Sequence, residues 1–239
     1  MISASELYLI CSLARELRDG EAIAVGNHSP IPAAAALLAK ELHAPNASVY
    51  ILGQPDWPFE GTKEFFDWMQ RGGADVFFLS GAQIDRYGNI NLQAIGDYRT
   101  PKVRLPGGAG AAVVYSVCRR ILLFKTEHSV KGFPDELDFR TAASRSGPGV
   151  FRRGSLAGVF TPLGTLRPAG TDGALKLSSV AQGVSPETVR ANTGFELQAE
   201  AEVSETASPT NEERRVLREV VRERLRLIYP EYAASLTGF

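Results

Sequence analysis

The stretch EAIAVGNHSPIPAAAALLAKELHAPNASVYIL, residues 21–52, alternates between two kinds of apolar run. EAIAVG (21–26) is short and runs into the turn-forming NHSPIP, as a buried strand does. AAAALLAKELH (33–43) is longer, rich in helix formers, and stops before Pro45. ASVYIL (47–52) is short again and carries the strand formers Val49, Tyr50 and Ile51. Upstream, residues 4–18 place Leu7, Ile10, Cys11, Ala14 and Leu17 at helical spacing, and Asp19-Gly20 stops that helix. Helix, strand, helix, strand predicts a parallel sheet with covering helices.

The same grammar continues outward. TKEFFDWMQRG (62–72) reads as a helix closed by Gly72-Gly73, and ADVFFLSGAQID (74–85) as an apolar strand entering a polar turn. RYGNINLQAIG (86–96) predicts a hairpin with Gly88-Asn89 at its tip. VRLPGGAGAAVVYSVCRR (103–120) is a glycine-rich loop running into a helix of small residues, and RILLFKTE (120–127) a strand. Residues 128–183 are rich in Gly, Pro, Ser and Thr, with strands expected at GVFTPLG and ALKLSSV; the proline in the first argues for an edge or a bend. SPETVRANTGF (185–195) is a compact helix, with Ser185 as N-cap and Pro186 at its first position. VSETASPTNEE (203–213) has the composition of a linker. NEERRVLREVVRERLRLIYPEY (211–232) is a long charged helix with Val216, Leu217, Val220, Val221, Leu225 and Leu227 on its apolar side. Neither an internal repeat nor a second domain with its own core is evident.

Composition narrows the function classes. The 239 residues are 44% hydrophobic and 22% charged, with a net charge of -1. That balance gives no electrostatic footprint for nucleic acid or an anionic membrane. No apolar run approaches the roughly 20 residues that span a bilayer. The N-terminal segment mixes acids and bases among its apolar residues, unlike a signal peptide. Cys11 and Cys118 sit far apart in apolar patterns, the expectation for a reduced cytoplasmic protein with two buried thiols. No close Cys/His spacing marks a metal site.

Two constellations have the chemistry of a site. LPGGAGAA (105–112) lacks side chains at several positions, so a ligand can approach its backbone closely, and free N–H groups at the following helix suit a phosphate, a carboxylate or a thioester oxyanion. It is neither a P-loop nor a dinucleotide fingerprint. FFLSGAQIDRYGNIN (77–91) delivers Gln83, Asp85, Asn89 and Asn91 close together; amides recognise carbonyl and carboxylate groups but do not titrate. Asp85 has a simpler role as a brace of Arg86 or the turn. Of the three histidines, His43 suits the C-terminus of a helix and His28, in the loop after the first strand, can face a site; none pairs with a nucleophile motif.

GAQIDRYGNIN (81–91), IGDYRTPKVRLPGGAGAA (95–112) and SPETVRANTGFEL (185–197) occur in this order, preceded by RDGEAIAVG (18–26) and AKELHAP (39–45). Together they resemble the β subunit of family I coenzyme A transferases, nearest to the glutaconate CoA-transferase type, over roughly residues 6–200. The resemblance implies an α/β fold, an open, mostly parallel sheet with helices on both faces, forming one domain over 1–239 with 203–239 as linker and C-terminal helix. It also implies a related α subunit, an α2β2 or higher hetero-oligomer, and a cleft for an acyl-CoA substrate, with no permanently bound cofactor, no metal, no nucleic acid and no membrane.

In the family, the glycine loop aligned with Gly107, Gly108, Ala109, Gly110 and Ala111 lies against the thioester. The family's catalytic glutamate falls on Leu52, or on Gly53 with a one-residue slip, and neither can be a nucleophile. Asp56 is the nearest acid that could act in its place. Asn27, His28, Gln54 and Gln83 are candidates for the substrate cleft. Hydrolysis, carbon–carbon cleavage or decarboxylation of a CoA thioester is therefore expected. The alternatives are a true transferase whose acid comes from the α subunit, and a non-catalytic subunit that completes the cleft.

Overall fold

A computed structural model describes residues 1–239. Its contacts gather into two compact units: Met1–Phe78 with Ala207–Phe239, and Leu79–Thr206. The 203–239 segment, expected to be a linker and a terminal helix, is divided between them.

The first unit opens with helix α1 (Ala4–Ala14), whose N-cap Ser3 accepts a hydrogen bond from the Glu6 N–H (3.1 Å). Strand β1 (Ala22–Val25), helix α2 (Pro30–Leu42) and strand β2 (Ser48–Ile51) follow as the spacing predicts. Helix α2 starts three residues earlier than its apolar run because Pro30, at its first position, is already set to a helical φ. Helix α3 (Gly61–Gln70) buries Phe65 and Met69, and its Trp68 lies so close to Gly73 that a Cβ there would fall 2.1 Å from the ring. Strand β3 (Val76–Leu79) completes a parallel set in the order β3-β1-β2, with Ile23 opposite Val76 and Val25 opposite Ile51.

The second unit begins with two small antiparallel ribbons. Strand β4 (Gln83–Ile84) pairs with β5 (Ile90–Asn91), and β6 (Ala94–Ile95) with β7 (Val103–Arg104). The first ribbon therefore starts three residues before the expected hairpin at 86–96. Asp85 sets its turn, accepting from the N–H groups of Tyr87 and Asn89 (both 2.9 Å), while Gly88 adopts φ 75°. Helix α4 (Ala111–Val117) leads to β8 (Arg120–Phe124), β9 (Ser155–Thr161), β10 (Gly164–Ala169) and β11 (Ala174–Val180), then helix α5 (Pro186–Ala191) and strand β12 (Gln198–Glu205). The strand order is β12-β11-β10-β9-β8. β8 and β9 are parallel, as are β11 and β12, whereas β9, β10 and β11 form an antiparallel meander. Pro162 sits in the tight β9–β10 turn rather than in a strand, and β10 is a strand that the sequence pattern does not mark off. The sheet is mostly parallel and helix-covered, as expected.

Two expectations for the C-terminal region are corrected. Residues 203–205 belong to β12, so the linker is shorter than its composition suggests. The long helix of 211–232 is broken: α6 (Asn211–Val216), a π-helical turn (Leu217–Val221) and α7 (Arg222–Leu225) run on, and then Pro230 opens a separate α8 (Pro230–Ser235), because proline cannot continue a preceding helix. Val216, Leu217, Val221 and Leu225 are buried, but Leu227 is 74% exposed. Arg15 clamps the returning chain. Its guanidinium grips Glu213 in two bonds of 2.8 and 2.7 Å and donates to the carbonyls of Ala207 and Ser208.

Candidate active site

The glycine loop of the second unit rests on a buried amide network. Asn91 is fully buried; its Nδ2 donates to Gln83 Oε1 and to the Ala94 carbonyl (both 2.7 Å). Its Oδ1 accepts from the N–H groups of Gln93 (2.9 Å) and Ala94 (3.3 Å). Gln83 in turn donates to Asp138 (2.8 Å) and accepts from the Asp138 N–H (3.1 Å). This fixes the 91–94 turn, on which the loop hangs. Leu105 N–H donates to the Gln93 carbonyl (3.0 Å) and Gly107 N–H to the Leu92 carbonyl (2.9 Å). Thr141 completes the seat by accepting from the Leu92 N–H (2.8 Å).

The loop is bent by three positive φ angles, at Gly107 (98°), Ala109 (41°) and Gly110 (88°). Only two non-glycine residues of the chain have positive φ, Ala109 and His28, and both are residues singled out from the sequence. Such outliers cost roughly 1–3 kcal/mol each and gather at functional sites. The N–H groups of Gly108, Ala109 and Gly110 donate to no other group of the chain, and Ala109 is exposed. They are three donors on one bend that no group of the chain claims. At Gly108 a Cβ would meet Thr141 Cγ2 at 2.7 Å, so the absence of a side chain there serves packing.

The amides read from the sequence as a recognition cluster prove to be internal. Gln83, Asn89 and Asn91 are buried and bonded within the chain, Asn89 to Asp85 (2.8 Å) and to the Ser144 N–H (2.9 Å). Hydrogen bonds also hold the titratable groups nearby. Tyr115 O–H donates to the Gly88 carbonyl (2.8 Å), and burial raises its pKa. Lys125, buried, donates to the carbonyls of Gly81 (3.0 Å) and Ala82 (3.2 Å), and desolvation lowers its pKa. His128 lies between the hydroxyls of Thr161 (2.8 Å) and Thr193 (3.0 Å) and stacks on Phe133. Burial, with the Lys125 charge, pushes it down to about 4, so it is a neutral structural ring near pH 7.

In the first unit, β2 ends at Ile51 in a closed turn. Gly53 adopts φ 96°, the Gln54 N–H donates to the Ile51 carbonyl (3.0 Å), and the Gln54 side chain folds back to accept from the Ile51 N–H (2.8 Å). Gln54 thus caps the strand, and Asp56 beyond it is exposed. Gln54 and Asp56 share the wall of a cleft of about 500 Å³ with Tyr50, Lys40 and Arg224. After β1, Asn27 Oδ1 accepts from the His28 N–H (3.0 Å), and both residues are exposed. Cys11 and Cys118 are free and buried, and burial pushes the Cys11 thiol up to about 12. No three His, Cys, Asp or Glu side chains gather where a metal ion could be held.

A family model described as "Coenzyme A transferase" matches residues 54–192, more than half of the chain and including the whole glycine loop. The chain belongs to the coenzyme A transferase family. It is 37% identical over 158 residues to the β subunit of the 3-oxoadipate CoA-transferase of Pseudomonas knackmussii, covering 63% of this chain and 60% of that relative's length. It is 30% identical over 172 residues to the cholesterol ring-cleaving hydrolase IpdB subunit of Rhodococcus jostii, covering 69% and 67%. Among solved structures, the glutaconate coenzyme A-transferase of Acidaminococcus fermentans superposes with a TM-score of 0.79 at 24% identity, over 95% of this chain and 97% of that one. The decarboxylase AibA/AibB superposes with a TM-score of 0.76 at 23% identity over 100% of both chains. These likenesses confirm the family and fold expected from the ordered motifs. Sequence reasoning placed the loop but missed its seat: Thr141 and Asp138 lie in a stretch whose composition carries no periodic signal.

Proposed function

We propose that this chain is the β subunit of a two-subunit enzyme acting on a coenzyme A thioester, and that it offers no nucleophile of its own. The loop from Gly107 to Ala111 receives the thioester carbonyl, with the N–H groups of Gly108, Ala109 and Gly110 facing the oxygen as charge develops. The observation that carries this reading is those three uncommitted donors on a strained bend inside the family's matched region. One such donor is worth about 3 kcal/mol of barrier. The strand end at Leu52-Gly53 is closed by Gln54 and bears no carboxylate. Without one, acyl capture on this chain gives way to hydrolysis, carbon–carbon cleavage or decarboxylation, with the base supplied by the α subunit. Relatives named as a hydrolase and a decarboxylase share the sequence or the fold.

Relatives named as subunits support an α partner, and an α2β2 or higher assembly is part of the same proposal. Phe151, 91% exposed, and Val150, 62% exposed, leave apolar surface for such a contact. A second reading, true transfer with the acid from the α subunit or from Asp56, is favoured by the 37% identical transferase relative. Coexpression with the α subunit and sizing, followed by acyl-CoA turnover with and without a carboxylic acid acceptor, tests both. Turnover without acceptor supports the first reading. Strict dependence on acceptor supports the second, and a monodisperse active monomer overturns the subunit assignment.

A further inference from the structure

Gln93 stands out among the polar side chains around the glycine loop because its amide is unclaimed. Gln83, Asn89 and Asn91 all bond within the chain, whereas the Gln93 side chain makes no hydrogen bond. Its main chain is fixed at both ends: the N–H donates to Asn91 Oδ1 (2.9 Å) and the carbonyl accepts from the Leu105 N–H (3.0 Å). Its Oε1 lies 3.6 Å from where a Cβ on Gly107 would stand. A half-buried amide is thus held beside the bend whose three N–H groups are free. An amide both donates and accepts, carries no charge and cannot transfer a proton, so its chemistry is recognition.

We infer that Gln93 is a specificity-determining residue, whose amide binds an oxygen carried by the acyl chain beyond the thioester. The inference rests on the proposed placement of the thioester at the 107–111 loop. With the carbonyl against the loop, the neighbouring amide meets the next few atoms of the acyl chain. An alkyl chain there leaves the amide facing apolar surface without a partner, which a keto or carboxylate oxygen relieves. The preferred acyl groups are therefore oxygenated ones.

Four-carbon acyl groups isolate this effect. Binding of butyryl-CoA, acetoacetyl-CoA and succinyl-CoA to the assembled two-subunit protein is measured by calorimetry for the natural chain, Gln93→Met and Gln93→Glu, with thermal unfolding as the check on folding. The natural chain is expected to prefer an oxygenated acyl group over butyryl by about tenfold, the scale of one hydrogen bond. Gln93→Met should bring that ratio close to one, weakening the oxygenated esters and strengthening butyryl-CoA as the unpartnered amide is removed, and Gln93→Glu should selectively repel succinyl-CoA. An unchanged preference in folded Gln93→Met overturns the assignment of Gln93 alone. Failure of the natural complex to bind any of the three overturns the acyl-CoA site itself, and Gln93 with it.

Discussion

Asn91→Leu removes the polar ends of a fully buried side chain while keeping its branched heavy-atom outline. The Ala94 carbonyl loses its 2.7 Å donor, and the N–H groups of Gln93 and Ala94 lose their acceptor at 2.9 and 3.3 Å. Gln83 Oε1 is less affected, since the Asp138 N–H still donates to it at 3.1 Å. A buried group left unsatisfied costs about 1–3 kcal/mol. Two short bonds and one long one therefore predict a loss of about 3–4 kcal/mol, less about 1 kcal/mol returned by the apolar leucine. The net of about 2–3 kcal/mol is a large share of the 5–15 kcal/mol that holds a typical domain. Urea unfolding at constant slope reads the change as a shift in midpoint. The loop hangs on the turn that Asn91 fixes, so acyl-CoA affinity should fall in the same variant without denaturant. A midpoint change worth less than about 1 kcal/mol refutes the network as the loop's support.

Further outcomes follow from the same geometry. Gly108→Ala should destabilise by about 1–3 kcal/mol, because its Cβ meets Thr141 Cγ2 at 2.7 Å. Adding Thr141→Ser, which keeps the hydroxyl bonded to the Leu92 N–H and removes the methyl, should rescue it in a double-mutant cycle. Ala109→Gly should stabilise the loop or leave it unchanged while preserving acyl-CoA binding, since φ 41° strains alanine and not glycine; loss of about 1 kcal/mol or more in thermal unfolding would count against that strain. His128 is held at about 4, against an ordinary 6.5, by burial and Lys125, so the unfolded chain binds more protons between those values. Stability should then be fully present above pH 6.5 and decline by about 3 kcal/mol as pH falls to 4, a slope that His128→Gln should flatten in acid titrations of the unfolding midpoint.

Much of the fold could be read from the sequence because its elements are local. Apolar periodicity marks β1, α2, β2 and α3, and Ser185 with Pro186 marks α5. The β10 strand was harder, since it joins a meander whose pairing is decided by neighbours distant in sequence, and Pro168 within it obscures the pattern. The break at Pro230 was written in the chain, but helical spacing on both sides hid it. At the site, glycine spacing revealed the loop because backbone freedom has a residue signature. What supports that loop had none. A buried asparagine and one reaching outward look alike until the chain is folded, which is why Asn91 and Gln83 read as recognition groups and nothing in the sequence marks Gln93.

Whether this chain ever carries a covalent intermediate is decided by single-turnover quenching. The assembled complex is mixed with excess acyl-CoA, stopped within one turnover, treated with hydroxylamine or borohydride, and its peptides are weighed by mass spectrometry. The account predicts consumption of the thioester with no acyl, CoA or trapped adduct on residues 47–54 or on Asp56. An adduct on Asp56 that appears and decays at the rate of turnover would contradict it, and would make this chain the bearer of the nucleophile.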